Sequence, residues 1–217
     1  MLPNIHIIGI QGSGKGTQSA LLVEKFNLTY LAAGNMFRER AAVGDEIGLS
    51  IAAAMQAGKL LPIEFLVLTI DGYLHTHGTG PGILGDGIMR TVDQYNELSR
   101  IWDEHSIDKP YLINLVLDEE TALQRIESRR LEQEDPGKRS HHEIYGGKLL
   151  KRNDDNPLAI HERFKIFHEL TEPVVSIFKG QGRCVDINAA DTIESIAAQV
   201  ETTVTTWYPE LKKNGTA

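Results

Sequence analysis

The stretch GIQGSGKGTQ, residues 9–18, follows the β-branched run NIHII and limits what this chain can become more than any other segment. Glycines stand at positions 9, 12, 14 and 16. Residues without a β-carbon permit backbone angles and close approaches closed to other side chains, so several N–H groups can converge on phosphate oxygens at the positive end of the following helix. Lys15 adds a full charge to the same pocket, and Thr17 supplies a hydroxyl suited to a magnesium ion or its water shell. A glycine-rich turn without a ligand is the plain alternative, and the strand before it and the helix after it weigh against that.

The helix signal is the spacing of Ala20, Leu21 and Phe26 among polar residues in GTQSALLVEKF. Further apolar runs at LTYLAA, GILGD, YLINLVL and CVDI are separated by stretches long enough for helices. That pattern predicts an α/β fold with five parallel strands joined by helical crossovers. NMFRERAAVGDEIGLSIAAAMQAGKLLP reads as small helices forming an inserted lobe between the second and third strands. LEQEDPGKRSHHEIYGGKLL, with Pro136, glycines and many charges, reads as a surface flap. Asn156-Pro157 reads as a helix start, with Pro173 bending or interrupting the helix that follows. Ile193, Ile196, Val200, Val204 and Trp207 mark a last helix at helical spacing, with Asp191 and Glu194 as its expected acidic cap.

Composition sets the boundary conditions for that site. A chain of 217 residues with 41% hydrophobic and 24% charged residues suits one soluble domain. Its formal net charge of −8 argues against a broad nucleic-acid surface or a polybasic membrane patch, so an anionic ligand must meet a local cluster of cations. Cys184 is the single cysteine, which excludes an intrachain disulfide and a four-cysteine zinc site; a reducing cytoplasm is the expected setting. MLPNIHIIGI lacks the pattern of a secretory signal, and no apolar run is long enough to span a bilayer. His75 and His77 read as surface residues, and His141 and His142, without a cysteine beside them, do not read as a metal site.

The form GxxGSGKGTQ, in which Gly16 separates the lysine from the threonine, is the one found in nucleoside monophosphate kinases. Over nearly its whole length the chain resembles the adenylate kinase family of that group. The resemblance implies a P-loop NTPase-type parallel five-stranded sheet flanked by helices, in one domain over 1–217. Within it the core is 1–33, 64–130 and 153–217, the inserted monophosphate-binding lobe 34–63 and the short lid 131–152. It further implies reversible magnesium-dependent phosphoryl transfer from ATP to AMP giving two ADP, in a cytoplasmic monomer with no nucleic-acid or membrane partner. The lid is shorter than the long bacterial form and lacks its cysteines, so no zinc is expected.

Site residues follow from the same resemblance. Gly12, Ser13, Gly14, Lys15, Gly16, Thr17, Gln18 and Arg125 would bind ATP. Ala33, Gly34, Arg38, Lys59, Leu60, Leu61, Gly87, Arg90, Gln94, Arg152 and Arg163 would bind AMP. Lys15, Arg90, Arg125, Arg129, Arg152 and Arg163 would carry the catalytic charge, and Thr17 and Asp86 would organise magnesium through water. Asp154 and Asp155 match the family's acidic pair, although a helix-start pair would look the same.

The acceptor side departs from the family pattern. Ala33 replaces a threonine, Asn35 an aspartate, Ile88-Met89 a phenylalanine-proline pair, and Gln11 a proline of the glycine loop. Losing the proline before Arg90 removes a rigid turn that aims that arginine. Ala33-Gly34 is similar to UMP/CMP kinases, whereas Thr91 and Gln94 favour the adenylate type. A pyrimidine or other nucleoside monophosphate acceptor is one alternative, and an ATP-binding regulator that has lost transfer activity is another.

Overall fold

The computed structural model describes residues 2–134 and 156–213. Among them, β1 (Asn4–Ile8), β2 (Thr29–Ala32), β3 (Ile83–Asp86), β4 (Tyr111–Val116) and β5 (Cys184–Asn188) form one sheet. Every pairing is parallel and the order is β2-β3-β1-β4-β5. The strands fall on the five apolar runs of the sequence. Parallel neighbours need crossovers, and helices supply them: α1 (Lys15–Phe26), α2 (Ala33–Ala41), α3 (Glu46–Gln56), α4 (Ile63–His77), α5 (Val92–Glu104) and α6 (Glu119–Glu134). After residue 155 come α7 (Pro157–Ile166), a π-helical turn (Phe167–Thr171), α8 (Glu172–Gly180) and α9 (Ile193–Trp207). A 3-10 turn (Pro209–Lys213) follows.

Two apolar layers sandwich the sheet because successive strand residues point to opposite faces. Ile5, Ile7 and Ile113 meet Leu22 and Phe26 of α1 and Ile196, Val200 and Val204 of α9. On the other face Ile8, Ile83 and Leu112 meet Leu66 and Ile70 of α4, Leu98 and Trp102 of α5, and Phe178 of α8. All five residues of β1 are buried, as a central strand covered on both faces requires. That includes His6, whose ring meets Trp102 edge-on at 5.7 Å and whose Nε2–H donates to Asn4 Oδ1 at 3.1 Å. Burial drives its pKa down to about 3, so it is neutral in the fold.

Helix ends differ from expectation in one place. The cap of α9 is Thr192, whose hydroxyl accepts from the Ser195 N–H at 3.2 Å, and not Asp191. Adjacent Asp and Thr both have capping side chains, and the residue at which helical backbone begins decides between them. Asn156 does cap α7, accepting from Ala159 N–H at 2.9 Å, with Pro157 in the first turn. The interruption expected near Pro173 takes the form of the π-helical turn, after which Pro173 sits in the first turn of α8, where a missing N–H costs nothing. The small helices expected before the third strand are α2 and α3. Helix α6 continues through Glu134, and the rest of the expected flap, with His141, His142 and Arg152, lies outside the described residues, as do Asp154 and Asp155 beyond it. No described helix is long and apolar enough to cross a membrane.

Candidate active site

The chain leaves β1 toward β2 on one side of the sheet and leaves β4 toward β5 on the other, so a crevice opens beyond the carboxyl ends of these neighbouring strands. The glycine loop fills one wall. Gly12 has φ 90°, and a β-carbon there would lie 2.7 Å from the Ala122 carbonyl of α6, so only glycine lets the loop sit against that helix. Gly14, also left-handed, is the cap of α1 without a side-chain bond, which presents the backbone N–H groups of the first turn to the crevice.

Lys15 folds back over the loop. Its Nζ donates to the carbonyls of Gly9 at 2.7 Å and Ile10 at 2.8 Å and lies 3.4 Å from Ser13 Oγ. The ammonium is thereby held among the loop amides before any anion arrives. Thr17 is in the first turn of α1, and Ser13 is fully buried. The side chain of Gln18 is not brought to the loop: it is buried and donates to the Ile193 carbonyl at the start of α9, 3.1 Å away.

Arg90 follows β3 and is fixed from three directions. Its Nε donates to the Gly87 carbonyl at 2.8 Å, its N–H donates to Gln94 Oε1 at 2.8 Å, and its carbonyl accepts from Thr171 Oγ1 at 2.9 Å. Thr91 caps α5 by accepting from Gln94 N–H at 3.1 Å, so Thr91 and Gln94 form a reciprocal capping pair that reaches the backbone of Arg90. Ile88 and Met89 are each 1% exposed in the core. Buried apolar anchors plus these bonds take over the aiming that a proline gives elsewhere.

The other cations lie on α2, α6 and α7. Arg38 on α2 donates through Nη2 to Asn35 Oδ1 at 2.7 Å. Arg125 and Arg129 lie one turn apart on α6, and Arg125 Nη2 is 3.5 Å from the Ala190 carbonyl. Arg163 on α7 donates to Gln11 Oε1 and to the Met55 carbonyl, each at 3.0 Å, and so ties the glycine loop to the end of α3. Asn156 Nδ2 donates to the Gln56 carbonyl at 2.9 Å beside it, and a β-carbon on Gly58, φ 70°, would meet the Ala159 carbonyl at 2.5 Å. Ala33 and Gly34 open α2, whereas Lys59, Leu60 and Leu61 form the irregular link from α3 to α4.

Asp86 ends β3 in register with Ile7 of β1, and Tyr30 donates its phenol proton to Asp86 Oδ2 at 2.8 Å. Tyr30, Thr171 and Gln11 are site residues that sequence reasoning missed. Each acts on a residue distant in sequence; no local motif marks Tyr30 or Thr171, and Gln11, though inside the glycine loop, gives no sign there of its bond to Arg163. Cys184 has no place here: burial, then the Asp186 charge, pushes its thiol up to about 11.

A chain of net charge −8 thus places Lys15, Arg38, Arg90, Arg125 and Arg129 on segments that follow carboxyl ends of strands, with Arg163 joined to the loop. The family model for adenylate kinase matches residues 7–183. The chain belongs to the adenylate kinase family. It is similar to the adenylate kinase of Methanothrix thermoacetophila, 31% identical over 209 residues covering 91% of this chain and 96% of the relative. It is also similar to those of Parabacteroides distasonis, 29% identical over 201 residues (93% and 97%), and Staphylococcus epidermidis, 29% over 208 residues (91% and 96%). Like the family, it is a nucleotide-binding phosphotransferase, and its parallel sheet is the adenylate kinase fold.

Proposed function

We propose that this member of the family moves the terminal phosphoryl group of magnesium-bound ATP to AMP, with the roles divided as follows. The loop Gly12 to Gly16 and Lys15 hold the donor phosphates, with Thr17, the backbone N–H of Gln18 and Arg125 completing the ATP side. Arg38 and Arg90 grip the acceptor phosphate. Arg125, Arg129, Arg152 and Arg163 stabilise the charge between them, and Ala33, Gly34, Lys59, Leu60, Leu61, Gly87 and Gln94 line the AMP. The observation that carries this reading is the Lys15 ammonium, seated on the Gly9 and Ile10 carbonyls inside a loop to which Arg163 is also tied.

Phosphoryl transfer spreads negative charge over the moving group's oxygens and asks little covalent chemistry of the protein, so positioning and fixed positive charge supply most of the rate. The carbonyl partners of Lys15 and Arg90 keep those cations aimed. When phosphate oxygens arrive, charge-assisted bonds replace weaker neutral ones with little reorganisation. Asp86 and Thr17 offer the hard oxygen donors that magnesium takes, and Tyr30 fixes the Asp86 carboxylate from behind. Magnesium when bound neutralises charge on the phosphates. Gln94 spends Oε1 on Arg90, so a base is read by its Nε2 end. Closure of the lobe 34–63 and lid 131–152 keeps water, the competing acceptor, away. A cytoplasmic monomer without nucleic-acid partners, and with no zinc in its lid, completes the proposal.

Ala33 and Gly34 are the residues that favour a pyrimidine acceptor, and Thr91 and Gln94 those that favour AMP. A panel of ATP with AMP, CMP, UMP and GMP, followed by diphosphate formation, decides. AMP is expected to turn over fastest; turnover with CMP but none with AMP overturns the assignment.

A further inference from the structure

Away from the phosphate crevice, one cluster has the composition of a metal centre. Asp71 and His75 are one turn apart on α4, and His105, the residue after α5, comes up beside them. His105 Nε2–H donates to Asp71 Oδ1 at 2.8 Å, and His75 Nδ1 lies 3.3 Å from the same oxygen. One candidate ligand atom from each of the three lies within 4.8 Å of the others. The two imidazole rings meet edge to face with centroids 4.7 Å apart. Two nitrogens and an oxygen about 2.1 Å from a tetrahedral ion stand roughly 3.4 Å from one another, so the 3.3 Å pair already has coordinating spacing and the 2.8 Å pair has only to open slightly to admit the ion.

A hydrogen-bonded tie between two helices is the plain reading, and it needs one histidine. Two imidazoles converging on one carboxylate oxygen, two of the three groups at i, i+4 spacing, go beyond it. Both helices end here, so their dipoles favour a cation. Arg100, the cation whose field reaches Asp71, is itself paired with Glu97 and Glu104. His77 faces elsewhere, stacked on Tyr73 with Nδ1–H donating to the Tyr73 carbonyl at 3.2 Å. His75 is 68% exposed along its side chain and His105 17%, which leaves an entry path and a fourth position for water.

We propose that Asp71, His75 and His105 form a three-ligand site for a late first-row divalent transition metal of the zinc type. The crossover helices run back against parallel strands, so the carboxyl ends of α4 and α5 lie toward the amino ends of the strands, away from the glycine loop. The ion staples these helices at that end. His75 Nδ1–H donates to the Asp71 carbonyl at 3.0 Å in the metal-free state, so an ion bound through Nδ1 displaces that hydrogen bond and requires the neutral tautomer with its proton on Nε2.

Cobalt(II) chloride titrated into nucleotide-free protein gives the test, read by visible ligand-field absorption, with zinc chloride raising the thermal midpoint in parallel. The expected result is one equivalent bound, with affinity at least about tenfold weaker in His75→Ala and in His105→Ala, and unchanged in the double variant His141→Ala/His142→Ala. Absorption absent in the full chain, undiminished in His75→Ala, or lost only in the double variant overturns the site. His75 is exposed, so its variant remains informative even where His105→Ala folds poorly.

Discussion

Arg90 is the residue on which the departures from the family pattern converge. Its neighbours Ile88 and Met89 keep the segment in the core, while Gln94 and Thr171 take hold of its backbone on both sides and Gly87 of its guanidinium. Arg90→Ala is expected to lower turnover at least about 100-fold, the scale of losing one strong charge-stabilising group. Thr171→Val removes one backbone bond, about 1 kcal/mol, so steady-state kinetics should show roughly a fivefold loss of kcat/KM for AMP. Unchanged kinetics in the valine variant would show that Arg90 is aimed by other means. Tyr30→Phe frees Asp86 Oδ2, and a magnesium titration should then show half-maximal activity displaced to higher metal concentration. Lys15 and the glycines were legible because their chemistry is local: a strand, a run of small residues and one cation suffice. Tyr30, Thr171 and Gln11 were not, because each acquires its role by touching a residue that the fold alone brings near.

Elements were legible to the extent that they are periodic. The five strands stand out as β-branched runs between turn residues, and α9 as an apolar stripe, but its cap went to Thr192 because two capping residues adjoin. Sheet order depends on pairing between strands and is written in no single segment. Two histidines give the elements opposite pH dependence. His6 in β1 has a pKa of about 3 against 6.5 in an unfolded chain. Below about pH 6.5 the unfolded chain takes a proton that the fold refuses, so stability falls by about 1.4 kcal/mol per pH unit until about pH 3. His6→Gln should flatten that slope in urea titrations; an identical slope contradicts the burial argument. His168, in the π-helical turn, receives two carboxylates, Glu172 at 2.7 Å and Glu119 of α6 at 3.0 Å. Its pKa is raised by Glu172 first and Glu119 next. Its contribution is therefore full below about pH 6.5 and lost as pH rises through the higher folded value. His168→Gln should remove the alkaline part of this dependence while leaving the acid limb, and a lost acid limb would reverse the assignment.

At the scale of the whole molecule, an acidic protein binds polyanions by concentrating its cations where the strands end. The net charge of −8 demanded such a cluster, and the topology supplies it by placing Lys15, Arg38, Arg90 and Arg125 on segments that follow the carboxyl ends of the strands. Arg163, bridging Gln11 and the Met55 carbonyl, couples the loop to α3. The most direct test is ADP formation from ATP and AMP by the full chain and by its Lys15→Met variant, each checked for an unchanged unfolding midpoint. Robust turnover that falls at least about 100-fold on substitution is the result expected of a fixed charge acting on the moving phosphoryl group. Near-equal turnover in the folded variant would contradict it.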